Sequence, residues 1–176
     1  MGDVPLVMPI RGLNHAVLFV RDAQRSAAFY RDVLGFREVT AMPNAVFLRA
    51  PESDNDHDLG VFGIGDGAQA SPAGRSAVGL YHLAWEVPTL ADLADHRTRL
   101  AEAGALVGAS DHGTTKALYA KDPDGLEFEV SWLVPHDLIG DDMDVSTLPL
   151  DLDAEIERYG ADRVGALSRV PGTARA

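Results

Sequence analysis

The chain has 176 residues, about the length of one domain on the usual scale of ~100–200 residues. Apolar residues make up 46% and charged residues 24%, which is compatible with a sizeable hydrophobic core. Acidic residues outnumber basic residues by 27 to 15, and the net charge of −12 disfavours binding to nucleic acid or to an anionic membrane. The absence of cysteine excludes disulfides, thiolate metal sites and cysteine nucleophiles.

The sequence predicts neither a membrane-spanning segment nor a secretory signal. No stretch approaches the ~18 consecutive apolar residues of a membrane span. Residues 1–11 lack the basic region and the long apolar core of a secretory signal. We therefore expect a cytoplasmic protein that binds neither membrane nor nucleic acid.

The first part of the chain predicts a strand, a helix and three further strands. An apolar run predicts a buried first strand, and apolar residues at helical spacing predict the helix that follows it. In chain order these elements are a strand at 13–20, a helix at 26–34 that ends at Gly35, and strands at 36–41, 45–50 and 59–64.

The same order returns after a linker at 66–78 that is rich in Gly, Ser, Ala and Pro. His15 and His82 occupy equivalent places in the two copies, two residues into the first predicted strand of each. The second set consists of a strand at 80–87, a helix at 92–103 that ends at Gly104, and strands at 105–109, 116–120 and 126–133, the last preceded by a turn at 122–125.

A strand–helix–three-strand unit has one sheet face that it cannot bury alone. We therefore predict an α+β fold in which two paired βαβββ modules form a curved open sheet around a central cavity, with the helices outside. Module one spans 11–65, the linker 66–78 and module two 79–133. Residues 134–176 break the repeat and form an acidic C-terminal extension, in which the pattern predicts one short helix over 153–159.

Without cysteine, a metal must be held by histidine and carboxylate. A single histidine in an apolar strand is more often a hydrogen-bonded core residue than a ligand, but the equivalent places of His15 and His82 favour a shared metal. In the last strand Glu127 and Glu129 alternate with apolar residues and share a face. That face is either the ordinary polar side of a half-solvated strand or the wall of a metal cavity. Two imidazoles and one carboxylate form the facial triad of non-haem iron(II) oxygenases.

The segment LNHAVLFVRDAQRSAAFYRDVLGF at 13–36 resembles the opening module of the vicinal oxygen chelate superfamily. That superfamily includes glyoxalase I, fosfomycin-resistance thiol transferases, bleomycin-binding proteins and type I extradiol ring-cleaving dioxygenases. Both modules match, so the resemblance covers 11–133 and implies the fold and a metal or ligand cavity. The stretch from His112 through Tyr119 and the DPDG turn to Glu129 is similar to the extradiol dioxygenase signature.

This resemblance implies roles for six residues. It implies that His15, His82 and Glu129 are iron ligands. It further implies that His112 and Tyr119 hydrogen-bond the diol and that His57 assists dioxygen activation and proton transfer. A loop histidine in an acidic stretch is also typical of a solvated surface, and that interpretation of His57 stays open. We interpret His96 and His136 as surface residues.

The implied activity is Fe(II)-dependent extradiol cleavage of a catechol-type aromatic diol with O2, with Mn(II), Ni(II) or Zn(II) as other candidate metals. Extradiol enzymes often carry four modules, so this two-module chain would be a catalytic half standing alone or a homodimer with shared faces. We expect a homo-oligomer, in the simplest case a dimer. One alternative is a glyoxalase-like metal-dependent lyase or isomerase, but its fourth ligand would fall in the segment LGVFGI at 59–64, which offers none. Another is a drug- or natural-product-binding resistance protein, a class that tends to lose the metal ligands.

Overall fold

The computed structural model describes residues 12–72, 76–140, 143 and 146–166. Arg11, at the start of the predicted module one, and 167–176, at the end of the predicted extension, lie outside the described residues. The chain divides into two compact units. Unit 1 comprises the described residues up to Arg31 together with Gly35–Gly67, and unit 2 comprises Asp32–Leu34 together with the described residues from Ala68 onwards.

Unit 1 contains an open four-stranded sheet and most of one helix. Its elements are β1 (Ala16–Val20), α1 (Ala23–Leu34), β2 (Arg37–Met42), β3 (Ala45–Arg49) and β4 (Leu59–Gly63). The strand order is β1-β4-β3-β2, in which β1 is parallel to β4 and the other pairs are antiparallel. A register shift interrupts the β2–β3 pairing near the start of β2.

Unit 2 repeats this order and extends it by one strand. Its elements are β5 (Leu83–Glu86), α2 (Leu90–Glu102), β6 (Leu106–Asp111), β7 (Thr115–Lys121), β8 (Glu127–Leu133), a 3₁₀ turn (His136–Leu138), β9 (Leu148–Pro149) and α3 (Leu152–Tyr159). The strand order is β5-β8-β7-β6-β9, with β5 parallel to β8 and a register shift near the start of β6. The predicted α+β class with two βαβββ modules is therefore confirmed.

Helix α1 begins three residues before its predicted start, because the side chain of Asp22 caps it. The Asp22 carboxylate accepts hydrogen bonds from the backbone N–H groups of Gln24 and Arg25. The predicted end at Gly35 is confirmed: this residue has φ 77°, a left-handed conformation that favours glycine. Among the described residues, every helix is too short or too polar to cross a bilayer.

Strand β1 is buried on one face only. Leu18 and Val20 are buried, whereas the alternate residues Val17 and Phe19 are 49% and 70% exposed. The predicted burial of a strand at 13–20 is therefore wrong for the face that carries Val17 and Phe19. The strand also starts later than predicted, at Ala16. An unbroken apolar run cannot report this difference, because it hides the two-residue period that distinguishes the faces of a strand.

The C-terminal extension packs onto unit 2. Leu152 at the start of α3 is buried, and α3 contacts α2. The ring of Trp132, which is fully buried, lies 5.4 Å from the ring of Tyr159, and its Nε1–H donates to the carbonyl oxygen of Arg163. Helix α3 occupies the segment where the sequence predicts a short helix. Strand β9 was not predicted, because a two-residue strand carries no periodicity.

A buried lysine joins the extension to the sheet. The Nζ of Lys116, a side chain that is 1% exposed, lies 2.5 Å from Oδ1 of Asp111 and 2.9 Å from Oε2 of Glu155. A buried ammonium group is costly unless it is paired. The extension supplies one of the two carboxylates through Glu155, which lies in α3.

We predict that Glu155→Ala lowers the free energy of unfolding by about 2 kcal/mol, because it leaves the buried Lys116 with one carboxylate instead of two. The matched control is Asp153→Ala in the same helix, since Asp153 is 86% exposed and pairs with Arg97 at 3.6 Å. An exposed pair of this kind contributes about 0–1 kcal/mol. Urea denaturation followed by circular dichroism measures both variants, and equal losses in the two would contradict the prediction.

Candidate active site

The two equivalent histidines each stand directly before the first strand of a module. Because β1 begins at Ala16 and β5 at Leu83, the predicted positions of His15 and His82 two residues inside a strand are wrong. The apolar residues that precede each strand belong to the irregular segment that leads into it. The equivalence itself is confirmed, since both histidines come one residue before their strand.

In unit 1, His15 lies beside His57. Their ring centroids are 4.5 Å apart, and the ring of Phe47 lies 5.0 Å from that of His57. Strands β1 and β4 are parallel neighbours, so the residues that precede them lie at the same end of the sheet. The His57 imidazole also lies 3.1 Å from the carboxylate of Asp56, whose pKa is held below its usual value mainly by the backbone N–H of His57.

The acidic loop that carries His57 is organised by a buried carboxylate. Asp58 accepts hydrogen bonds from the backbone N–H of Ala50, the hydroxyl of Ser53 and the side-chain amide of Asn55. The same amide donates to the carbonyl oxygen of Asn14. The loop is thereby connected to the residue that precedes His15, which favours a defined position for His57 over that of a solvated loop residue.

In unit 2, His82 lies beside Glu129. The Nε2 of His82 and Oε2 of Glu129 are 3.4 Å apart. Ala84 pairs with Glu129 in the parallel β5–β8 ladder, and His82 precedes Ala84 by two residues, so all three share a face. The carboxylate is buried, and Nδ1 of His82 is a buried atom without a hydrogen-bond partner. These nitrogen and oxygen donors are of the kind that bind Fe(II), Mn(II) or Zn(II).

Tyr119 and His112 complete this cluster. Tyr119 pairs with Glu129 in the antiparallel β7–β8 ladder, and its ring lies 5.8 Å from that of His82. Burial raises the pKa of Tyr119 to about 12, with a further contribution from the charge of Glu129 and the hydrogen bond to it. The Tyr119 hydroxyl lies 2.8 Å from Nε2 of His112. Tyr119 is therefore a neutral phenol at physiological pH, and it can donate one hydrogen bond.

His112 is held at the end of β6 by partners on two sides. Its backbone N–H donates to the carbonyl oxygen of Thr115 across the β6–β7 hairpin. Its Nδ1 lies 3.1 Å from the hydroxyl oxygen of Thr147 in the C-terminal extension. No pattern in the sequence points to Thr147, a single hydroxyl residue outside the repeat.

The predicted site residues fall into two groups, one in each unit. Among the described residues there is no group of three or more His, Asp or Glu side chains that could hold a metal ion. The assignment of three metal ligands therefore stays a prediction. The pair in unit 1 is His15 and His57, and the cluster in unit 2 is His82, Glu129, Tyr119 and His112.

Two histidines were predicted to lie on the surface. His136 is exposed, in agreement with this prediction. His96 is half-buried, its Nδ1 is a buried atom without a hydrogen-bond partner, and burial lowers its pKa. The surface prediction for His96 is therefore wrong. A polar residue next to the apolar stripe of a helix can lie in either environment, and the spacing in the sequence does not separate them.

A comparison with protein families matches residues 12–130 to the glyoxalase/bleomycin resistance protein/dioxygenase superfamily. A catechol-2,3-dioxygenase of Bacillus subtilis (strain 168) is 30% identical over 159 residues, which cover 88% of this chain and 54% of the relative. A biphenyl-2,3-diol 1,2-dioxygenase 3 of Rhodococcus globerulus is 36% identical over 116 residues, which cover 64% of this chain and 58% of the relative. The chain thus matches little more than half the length of these relatives.

The fold also matches a solved structure. The crystal structure of a glyoxylase/bleomycin resistance protein/dioxygenase domain from Frankia sp. EAN1pec has a TM-score of 0.58 and 23% identity. The match covers 70% of this chain and 92% of that domain. At this identity the likeness concerns the fold alone.

We predict that Tyr119 of the metal-free protein ionises near pH 12 and that Tyr119→Phe removes this transition. Because the folded pKa lies above the ordinary value of 10.0, its contribution to stability is complete below that pH and is lost as the pH rises towards 12. Ultraviolet absorbance of tyrosinate in the two proteins measures the difference, while circular dichroism reports whether they remain folded. A difference titration centred near pH 10 would show that Tyr119 is not shifted.

Proposed function

Because the chain belongs to the glyoxalase/bleomycin resistance protein/dioxygenase superfamily, we propose that it is an Fe(II)-dependent extradiol dioxygenase that cleaves a catechol-type aromatic diol with O2. The observation that carries this proposal is the unit 2 cluster. In it, the ligand-type pair of His82 and Glu129 lies beside the hydrogen-bonded pair of His112 and Tyr119. The names of the relatives, a catechol dioxygenase and a biphenyl-diol dioxygenase, support the same reaction class.

The proposed metal ligands are His15, His82 and Glu129. The unit 2 members suit a cation, because the buried carboxylate of Glu129 and the unpartnered Nδ1 of His82 would both gain from a positive charge. Two imidazoles and one carboxylate leave positions open for a diol and for dioxygen, and this arrangement is typical of non-haem iron(II) oxygenases. Mn(II), Ni(II) and Zn(II) can bind the same donors, and we propose Fe(II) because this ligand set is that of the non-haem iron(II) oxygenases.

The bound iron would supply the electron transfer between diol and dioxygen that no side chain can perform. The protein supplies placement and protons. Tyr119 keeps its proton at neutral pH, and a substrate oxygen that gains negative charge would accept this hydrogen bond in place of Glu129. His112 can accept a proton at one ring nitrogen and donate one at the other, and its Nε2 faces the Tyr119 hydroxyl.

His57 is the third proposed catalytic residue. Its proposed role is proton transfer during dioxygen activation, as its resemblance to the family position implies. Its contact with the proposed ligand His15 supports this role, because the centroids of the two rings are 4.5 Å apart. The hydrogen bonds of the acidic loop keep it there.

A glyoxalase-like lyase is the alternative within the same superfamily, and one position in unit 1 argues against it. Gly60 pairs with Val17 as Glu129 pairs with Ala84, so Gly60 is the unit 1 equivalent of Glu129. A Cβ built on Gly60 would lie 3.2 Å from Cε2 of Phe62 and 3.4 Å from Cγ2 of Val17. This position therefore offers no carboxylate, and a side chain placed there would require the side chains of Phe62 and Val17 to move. A binding protein without metal is disfavoured because the three ligand residues are retained.

We predict that the protein, purified without oxygen and loaded with Fe(II), converts catechol or 2,3-dihydroxybiphenyl into a yellow ring-fission product when air is admitted. The reason is that extradiol cleavage yields a conjugated product that absorbs visible light. Absorbance spectroscopy follows the reaction, and metal analysis measures the iron content of the same sample. Failure to turn over a broad panel of catechols with iron bound would refute the dioxygenase assignment and leave the metal site standing.

We also predict that His82→Ala abolishes stoichiometric binding of Fe(II), because it removes one of three proposed ligands. His136→Ala is the matched control, since His136 is exposed and lies outside both groups of site residues. Metal analysis after gel filtration measures the metal bound per chain in each protein. Full iron content in His82→Ala would refute the ligand set.

A further inference from the structure

One side chain of the C-terminal extension reaches the candidate active site. The hydroxyl oxygen of Thr147 lies 3.1 Å from Nδ1 of His112, and the hydroxyl of Tyr119 lies 2.8 Å from Nε2. We propose that Thr147 is a positioning residue, which fixes both the ring orientation and the tautomer of His112 so that Nε2–H faces Tyr119. This inference rests on the proposed function, in which His112 and Tyr119 act on the bound diol.

The direction of the hydrogen bonds made by His112 follows from the contact of Tyr119 with Glu129. A carboxylate oxygen accepts, so a hydrogen bond between Tyr119 and its cross-strand neighbour Glu129 uses the phenol proton. The Tyr119 oxygen then accepts from Nε2–H of His112. In a neutral imidazole with the proton on Nε2, Nδ1 is an acceptor, and the Thr147 hydroxyl donates to it. Each group thus donates towards Glu129.

The backbone places Thr147 opposite His112. Strand β9 pairs with β6 in antiparallel register, with Pro149 opposite Ser110 and Leu148 opposite Asp111. If the same register is continued by one residue, Thr147 is set opposite His112. Directly opposed residues of an antiparallel pair have neighbouring side chains, which agrees with the distance between them.

The extension is anchored on the other side of Thr147 as well. Leu152 is buried at the start of α3, and Glu155 lies 2.9 Å from the buried Nζ of Lys116. Lys116 in turn contacts Asp111, the residue directly before His112. The position of the Thr147 hydroxyl is therefore set when the protein folds, so that orienting His112 carries little further entropy cost during turnover.

A pair of substitutions separates a positioning role from a structural one. Thr147→Val keeps the branched shape and removes the hydroxyl, whereas Thr147→Ser keeps the hydroxyl. Thr147 is exposed, so neither change disturbs the core. The readout is the tautomer of His112, which imidazole ¹⁵N chemical shifts report in the full metal-free chain. The variant His112→Phe identifies the signals of His112 by their loss.

We expect the Nε2–H tautomer to predominate in the unsubstituted protein and in Thr147→Ser. In Thr147→Val the ratio should shift towards Nδ1–H by about two- to tenfold, the effect of one ordinary hydrogen bond. A ratio unchanged in Thr147→Val, or a predominance of Nδ1–H in the unsubstituted protein, would overturn the proposal.

Turnover with Fe(II) and catechol gives the second arm of the experiment. We expect kcat of Thr147→Val to fall by about two- to tenfold with little change in KM or iron content, and Thr147→Ser to restore it. A fall in iron content that accounts for the lost rate would overturn the positioning role. If the tautomer shifts as expected while none of the proteins cleaves a catechol, the proposed function fails and the role of Thr147 in orienting His112 stands.

Discussion

The parallel pairing of the first and last strands of each module is the constraint on which both groups of site residues depend. Parallel neighbours need a long crossover, which in each module contains a helix and the two strands that follow it. The pairing brings together residues that lie far apart in the chain: His15 with His57 at one end of β1 and β4, and His82 with Glu129 through β5 and β8. A slip of one residue would turn Glu129 to the opposite face, next to the apolar side of β8.

A second constraint comes from charge inside an acidic protein. The chain carries a net charge of −12, yet one of its lysines, Lys116, is almost completely buried. Its two carboxylate partners come from β6 and from α3, so the pairing connects the C-terminal extension to the strand that ends next to His112. Removing a single partner of a buried ion is costly even where the whole group contributes little net stability. The group of Lys116, Asp111 and Glu155 therefore ties α3 of the extension to β6.

The sequence predicted the two repeated modules and the short helix of the extension, and it missed features that depend on strand register. Two copies of one pattern were enough for the fold class, and the alternation of Glu127 and Glu129 with apolar residues correctly gave both carboxylates the same face. Strand β9 and Thr147 could not be predicted, because they act through the register of a two-residue strand. His96 shows the limit of periodicity along a single helix, since the neighbours that bury a side chain lie elsewhere in the chain.

The two modules share a backbone and differ in chemistry at the same sheet position. In unit 2, Tyr119 pairs with Glu129, whereas in unit 1 the equivalent pair is Phe47 and Gly60. The phenylalanine ring lies over the glycine, with Cδ1 3.6 Å from where a Cβ would be. In unit 1 an apolar ring thus occupies the place that a carboxylate and a phenol occupy in unit 2. At this sheet position the repeated backbone therefore carries a carboxylate and a phenol in unit 2 and a glycine and an apolar ring in unit 1.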